Sequence, residues 1–432
     1  MRVVIVGGSF AGIHTAMALR KHCPDSEIIL IEKQAKIGFI PSGINLLLKK
    51  EITEEKQLYW MTKEKMEAFY NVDVRINTEV ASLGTTTNTL ILQNGGQLTF
   101  DHLVIATGSN QQFKTISTES ELIRSVRDAH LKEPLEEKIA QAQKVAIVGA
   151  GQVGIELAEG LVGQNKQIHL YESRKNLLFR YFDPEMVAPL REELEKRKIP
   201  VFLNEQVQSL VESESVTVTT DQRKERYDLV LLANHTRPDN RLWQEKLKLN
   251  DDGTIWVDDY LQTSAKNIYA IGDTIQVTFR PTEEKMYVSL VNNAIRTAHV
   301  VSRTISGKPT KDPGTYRPVG NHWFGYFLGS VGITEEESIF YPQQITKEYL
   351  TTQVSATDHQ PVKIKIIQNE QQQLVGAQLQ SKGNIFHLLD QFTLAIEESW
   401  TLEQLEEHEL FFQPEYRMPI PFTKVVEDTH ED

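Results

Sequence analysis

An α/β fold with two parallel-sheet modules of like design is predicted by a pattern that occurs twice in the chain. In each copy a buried apolar run meets a glycine-rich turn and a helical stretch, and a second apolar run then ends on a glutamate. The first copy opens with Val3-Val4-Ile5-Val6, an unbroken β-branched run of the kind buried on both faces of a sheet. Gly7-Gly8-Ser9-Phe10-Ala11-Gly12 follows, then a helix over 13–22, then Ile28-Ile29-Leu30-Ile31-Glu32. The second copy runs Val145-Ala146-Ile147-Val148, Gly149-Ala150-Gly151-Gln152-Val153-Gly154, a helix over 155–161, and Ile168-His169-Leu170-Tyr171-Glu172.

Small residues in such a turn let backbone approach a ligand's phosphates, and the helix aims its N-terminal N–H groups and positive dipole end at the same place. A glutamate about 20 residues beyond the loop stands where a ribose-binding acid belongs. The first loop has Ser9 where the fingerprint has its middle glycine, whereas the second is an intact G-x-G-x-x-G. Two such loops, each with its acid, point to two dinucleotide sites.

The remaining elements follow in order. The stretches 44–48 and 58–69 read as helices, 72–76 and 88–93 as strands, and Asn94-Gly95-Gly96 as a hairpin turn returning through 97–100. Asp101 to Ile105 is a buried strand finishing in Ala106-Thr107-Gly108, small residues over which a cofactor backbone can pass. A polar helix is expected over 119–143, and further helices over 190–198 and 288–305. Strands are expected over 201–203, 207–211, 216–219, 227–235, 253–257 and 268–271, the last running into Gly272-Asp273. Asp101 to Gly108 and Asp228 to His235 have the same spacing, so Gly108 and His235 occupy equivalent corners of a duplicated module. Beyond Pro313 come an aromatic-rich strand over 323–327, an alternating one over 362–366 and a helix over 385–396. These read as a separate α+β domain with no chemistry motif of its own.

At 432 residues the chain holds roughly three domains. A net charge of −13 argues against nucleic acid and anionic membrane as partners, since either wants a basic face. No apolar run reaches the length of a membrane span and no signal peptide fits, so the expected location is the cytoplasm. The acidic residues from Glu427 onward read as a solvated end. Cys23 is the only cysteine and is expected to be a packing residue, which rules out an internal disulfide or a Cys-rich metal cluster; no metal site is expected.

With both loops, Ala106-Thr107-Gly108, Ile271-Gly272-Asp273 and Phe411-Phe412-Gln413-Pro414 in this order, the chain resembles the flavin-dependent pyridine nucleotide–disulfide oxidoreductases. Within them it is most similar to the bacterial NADH peroxidase and NADH oxidase branch. The resemblance implies an FAD-binding domain of 1–112 and 240–312, an NAD-binding domain of 113–239, and an interface domain of 313–432 that forms a homodimer or a dimer of dimers. It implies that Gly7, Gly8, Ser9, Phe10, Ala11 and Gly12 cradle the FAD diphosphate and that Glu32 bonds its adenosine ribose. Lys33, Ala106, Thr107, Gly108 and Arg124 would line the adenosine and phosphate path. Asp273 would hold the flavin's ribityl chain, with Leu290, Val291 and Asn292 near the ring, and Gly320 would also bind cofactor. Gly149, Gly151, Gln152, Val153 and Gly154 would carry the diphosphate of NADH, Glu172 its ribose hydroxyls and Tyr181 its adenine side, with Glu156 close to the nicotinamide. An acid at Glu172 favours NADH over NADPH.

Four positions depart from the family pattern. Ser42 stands where the branch has its redox-active cysteine, and Phe10 where it has the histidine that stabilises the oxidised sulfur. Gln152 replaces a tyrosine that gates the nicotinamide pocket, and His235 replaces a glycine before Arg237-Pro238. A serine hydroxyl cannot climb to a sulfenic acid, so thiol-based peroxidase, disulfide reductase and water-forming oxidase chemistry is not expected. The expected activity is FAD-dependent oxidation of NADH with no cysteine relay, oxygen or another small acceptor taking the electrons and hydrogen peroxide forming from oxygen. The alternative is a degenerate flavin- and NAD-binding sensor or interaction protein, motivated by His235 blocking the nicotinamide. His235 otherwise reads as an acid–base group or, more simply, as a hydrogen-bonded histidine at a strand end.

Overall fold

A computed structural model describes residues 1–41, 43–111, 120–125, 135–234, 236–418 and 422–425. Two five-stranded parallel sheets have the same layout. In the first, strand Arg2–Val6 lies between Glu27–Ile31 and His102–Ile105, with Asp73–Arg75 and Ile268–Ala270 at the edges. In the second, Lys144–Val148 lies between Gln167–Tyr171 and Leu229–Leu232, with Val201–Phe202 and Ile123–Ser125 at the edges. Val3, Val4, Ile5, Val145, Ala146 and Ile147 are fully buried, as unbroken apolar runs require when both sheet faces are covered. Just ahead of His102–Ile105 and of Leu229–Leu232 each module carries a three-stranded antiparallel sheet, over residues 80–99 and 209–227. The duplication expected from sequence is therefore present in topology.

The last part of the chain builds a six-stranded antiparallel sheet in the order Val319–Trp323, Tyr326–Gly332, Leu374–Ser381, Pro361–Gln368, Thr346–Gln353 and Thr423–Lys424, with helix Phe386–Glu397 packed on it. The aromatic stretch expected as one strand is a hairpin. Phe324 and Gly325 both adopt positive φ (50° and 81°), the two-residue turn that matches strand twist.

Other expectations need correction. The polar segment 119–143 is not one helix: Ile123–Ser125 is an edge strand, the helix is Leu135–Gln141, and 126–134 lie outside the described residues. The stretch 58–69 breaks at Tyr59–Met61, between a 3-10 turn at Glu55–Leu58 and helix Lys63–Tyr70. This happens because Ile40 and Trp60 N–H groups exchange bonds between the two segments, to Leu58 and Gly38 carbonyls at 2.8 and 3.0 Å. Residues 253–257 form only isolated bridges at Ile255. Helix Pro184–Lys196 starts earlier than its apolar spacing suggested, with Pro184 in the first turn where its missing N–H costs nothing.

Close contacts tie the three parts together. Helix Gly43–Leu48 lies against helix Gln152–Leu161, and a Cβ on Gly160 would stand 2.9 Å from Leu48 Cβ. Leu48, Trp323, Phe324 and Leu328 complete the core of the second module. The side chain of Lys365 is fully buried and its ammonium meets Asp183 at 2.8 Å, Glu185 at 2.5 Å and Glu335 at 2.6 Å. The three carboxylates converge as metal ligands would, and the cation they surround is Lys365 Nζ. Asp183 also exchanges two hydrogen bonds with Gln378, at 2.6 and 2.8 Å. Despite its burial Lys365 is held above the usual lysine range, because the acids outweigh desolvation.

Removing that one cation leaves three carboxylates facing one another. Lys365→Met is expected to cost about 3–5 kcal/mol, seen as a lowered denaturation midpoint. An unchanged midpoint would mean that the network does not hold the C-terminal sheet to the second module.

Candidate functional site

Each glycine loop is made by a close contact that only glycine permits. Gly7 has φ +117°, and a Cβ there would lie 2.2 Å from Ala106 O; Gly149 has φ +110°, and its Cβ would lie 2.7 Å from Ala233 O. A Cβ on Gly12 or Gly154 would lie 1.9 or 1.8 Å from the carbonyl oxygen of Gly7 or Gly149. Strand end and helix start are thus pressed together in both modules.

The two acids brace these loops. Glu32 Oε2 accepts from Gly8 N at 2.7 Å, and Glu172 Oε2 accepts from Ala150 N at 2.9 Å. Their other oxygens take Gln34 N and Arg174 N, both at 2.9 Å. Ser9 and Gly151 are the equivalent N-caps of helices Phe10–His22 and Gln152–Leu161. Neither makes a side-chain cap bond and neither helix has an acid in its first turn, so the N-terminal N–H groups are left for an external anion. A Cβ on Gly151 meets nothing within 4 Å, and that open space explains why the first module accepts Ser9 at the same place. Gly108, at φ +71°, likewise faces open space. Both loops therefore fit an extended diphosphate.

Asp273 lies in a 3-10 turn behind the first loop and accepts from Ser109 Oγ at 2.7 Å and from Ser289 Oγ. Gly272 N donates to Thr297 Oγ1 at 3.1 Å, which ties this turn to helix Val291–Ile305. Leu290 is that helix's N-cap, with Val291 and Asn292 exposed on its first turn. Lys33 and Thr107 are exposed, while Ala11 and Ala106 are buried under the first loop. Val153 and Tyr181 both pack against the second module's core.

Two positions find packing roles that sequence did not indicate. Arg124 is buried in the edge strand of the second sheet, in register with Leu231. Gly320 makes room for Phe386, whose ring would come within 2.8 Å of a Cβ. Ser42 and His235 lie outside the described residues.

Beside Gly38 and helix Gly43–Leu48 the structure gathers side chains from distant parts of the chain. Phe10 stacks on Trp60 (centroids 5.4 Å apart, 16° between planes), and His14 stacks on Trp60 at 5.3 Å. Burial, aided by His299, holds the His14 pKa below its ordinary value. Glu156 occupies in the second helix the place of His14 in the first. It is buried, with Asn45 Nδ2 donating at 2.6 Å and Asn321 Nδ2 donating to its other oxygen. Burial raises its pKa, opposed by the two amides and Lys49. Among the described residues, Trp60 Nε1 and Asn45 Oδ1 are buried with no hydrogen-bond partner. Sequence reasoning missed Trp60, Asn45, Asn321, Ser109 and Ser289. Nothing periodic marks them, and Asn321 is 165 residues from Glu156.

Comparison with known proteins matches this architecture. Residues 1–298 match the family model described as pyridine nucleotide-disulphide oxidoreductase. A curated NADH oxidase from Enterococcus faecalis is 28% identical over 432 residues, covering 97% of each chain. A coenzyme A disulfide reductase from Staphylococcus aureus is 25% identical, again over 97% of both. Among solved structures, a pyridine nucleotide-disulfide family oxidoreductase from E. faecalis superposes with a TM-score of 0.85 at 31% identity, over 96% of this chain and 95% of that one. A water-forming NADH oxidase from Lactobacillus brevis shares the fold with a TM-score of 0.89 at 24% identity, over 97% and 95%.

The loops separate fold from binding. Gly154→Ala drives a methyl into Gly149 O and is expected to lower the thermal midpoint of the ligand-free protein. Gly151→Asp, which keeps a good N-cap but sets a carboxylate where the diphosphate would lie, is expected to leave that midpoint unchanged and weaken dinucleotide binding about tenfold or more, measured by titration. Glu156 makes a pH prediction. Its folded pKa is raised, so the folded state holds the proton more tightly than the unfolded. Stability should therefore fall as pH rises from the ordinary value of 4.5 through the raised folded value. Glu156→Gln should remove that segment of the pH–stability curve. The match along most of the chain and the doubled loop geometry agree: this chain belongs to the pyridine nucleotide-disulphide oxidoreductase family and is an FAD-dependent NAD(P)H oxidoreductase.

Proposed function

We propose that the protein is an NADH oxidase or dehydrogenase whose only redox group is FAD, with no cysteine relay. The observation that carries this reading is where the single thiol lies. Cys23 is the C-cap of helix Phe10–His22, whose opposite end faces the first glycine loop. Thirteen residues of helix put about 20 Å between them, far beyond the reach of direct sulfur chemistry. Position 42 holds serine, and Phe10, stacked on Trp60, offers no hydrogen bond to a sulfur anion.

FAD, when bound, would supply the redox chemistry that couples oxidation of NADH to reduction of oxygen or another small acceptor. The loop from Gly7 to Gly12 and the helix end behind it would hold its diphosphate, and Glu32 its ribose. Asp273, braced by Ser109 and Ser289, would accept hydrogen bonds from the ribityl hydroxyls. The loop from Gly149 to Gly154 and Glu172 would bind NADH in the same manner. Glu172 already accepts from Ala150, Ser173 and Arg174, and its charge disfavours a 2′-phosphate. Glu156, clamped by Asn45 and Asn321, would wall the space between the modules and keep water from the nicotinamide. The domain limits 1–112 with 240–312, 113–239 and 313–432, and a dimer formed through the last of these, belong to the same proposal. Exposed Leu394, Phe411, Phe412 and Tyr416 on that domain support it.

Anaerobic mixing with NADH is expected to bleach the flavin absorbance, and in air one hydrogen peroxide should appear per NADH consumed. A flavin that stays oxidised would overturn the oxidase reading and favour the sensor alternative. Water as the four-electron product would overturn the thiol-free mechanism.

A further inference from the structure

The two asparagines that clamp Glu156 are not equivalent. Asn321 Nδ2 donates to Glu156 Oε1 while its Oδ1 accepts from His322 N at 2.8 Å, so both ends of that amide are engaged and its orientation is fixed. Asn45 Nδ2 donates to Glu156 Oε2 at 2.6 Å, but Asn45 Oδ1 is buried with no hydrogen-bond partner among the described residues. Asn45 is 3% exposed and Glu156 9%, so both groups lie out of bulk water.

A carboxylate suits this arrangement, because it accepts on both oxygens. A carboxylic acid does not, because its O–H would meet an N–H on whichever oxygen carried the proton. Asn321 cannot turn to relieve that clash without giving up the bond from His322 N. Asn45 can: half a turn about its Cβ–Cγ bond puts Oδ1 where Nδ2 was and exchanges one unpartnered atom for another. We infer that Glu156 and Asn45 form a proton-operated switch, in which a proton taken from solvent onto Glu156 Oε2 turns the Asn45 amide over and reverses the hydrogen bond between them. Asn45 is then a positioning residue that acts through Glu156. Helix Gly43–Leu48 stays fastened to helix Gln152–Leu161 in both states. The buried unpartnered atom changes from an acceptor to a donor, so the proton sets which kind of polar group that spot can take.

Burial raises the Glu156 pKa, against the two amides and Lys49, which favours the protonated state of the switch. Lys49 follows helix Gly43–Leu48, itself without an ionisable residue, and is paired with Glu159 one turn beyond Glu156. Strand Val319–Trp323 adds His322, exposed and stacked on Phe327. The two strands beneath the helix add Lys144, His169 and Tyr171, which are engaged with Glu225 and Tyr227.

The test follows the full-length protein as purified by pH-difference infrared spectroscopy, using the carbonyl band of a protonated carboxylic acid that is lost in Glu156→Gln. An amide that only clamps the carboxylate lowers the midpoint of this band, whereas one that serves both forms leaves it in place. Asn321→Leu is therefore expected to raise the midpoint by about one pH unit, and Asn45→Leu to move it by less than about half of that. A second measurement, on wild type labelled with 15N-asparagine, stands even where Asn45→Leu does not fold. One side-chain amide signal should move with the Glu156 midpoint and rest at its acid position at every pH in Glu156→Gln. The Asn321 signal, identified by its loss in Asn321→Leu, should not make that move. An equal rise in both leucine variants, an acid band that never titrates while the protein is folded, or a titrating signal that belongs to Asn321 would each overturn the inference.

Discussion

The contact between a helix's first turn and the strand end that precedes it decides most of this architecture. Gly12 on Gly7 and Gly154 on Gly149 approach so closely that no side chain fits, which presses each helix end against its sheet. The carboxylates of Glu32 and Glu172 then fasten each loop to the neighbouring strand. The result is a pair of rigid, uncapped helix ends with open space before them. Such an end attracts anionic ligands through its free N–H groups and its dipole together.

The two modules diverge one turn further along. His14 and Glu156 hold the same place in their helices, yet one joins an aromatic stack and the other is clamped by amides from two distant segments. In the first arrangement burial holds the imidazole pKa down; the second needs donors on both carboxyl oxygens, which Asn45 and Asn321 provide. Docking of helix Gly43–Leu48 onto helix Gln152–Leu161, allowed by Gly160, brings Asn45 within reach. A buried carboxyl at the meeting point of three parts of the chain makes their relative placement an electrostatic matter as well as a packing one. Lys365 does the same at the opposite end of the second module, where Asp183 and Glu185 lead into helix Pro184–Lys196.

A framework of this kind separates the holding of cofactors from the chemistry done with them. Loops, acids and helix ends are present in both modules, and in the function proposed above they hold the cofactors while serine at position 42 and Phe10 supply neither a thiol nor an imidazole. The aromatic stack of Phe10 and Trp60 fills space with apolar surface where a polar relay would need hydrogen bonds.

Sequence alone determined the two parallel sheets, both glycine loops, their acids and the missing thiol, because each is written in contiguous residues with a period or spacing fixed by backbone geometry. It also placed Asp273 after the strand Ile268–Ala270, for the same reason. It misjudged 119–143, where polar composition hides the edge strand Ile123–Ser125; the partner that makes it a strand, Leu229–Leu232, lies a hundred residues on. It took the aromatic stretch at 323–327 for one strand, because only positive φ at Phe324 and Gly325 reveals the turn. What tertiary structure decided is which side chains meet: Phe10 with Trp60, Glu156 with Asn45 and Asn321, Lys365 with Asp183, Glu185 and Glu335. Those meetings depend on domains docking across long sequence separations, and no local pattern in the chain carries that information.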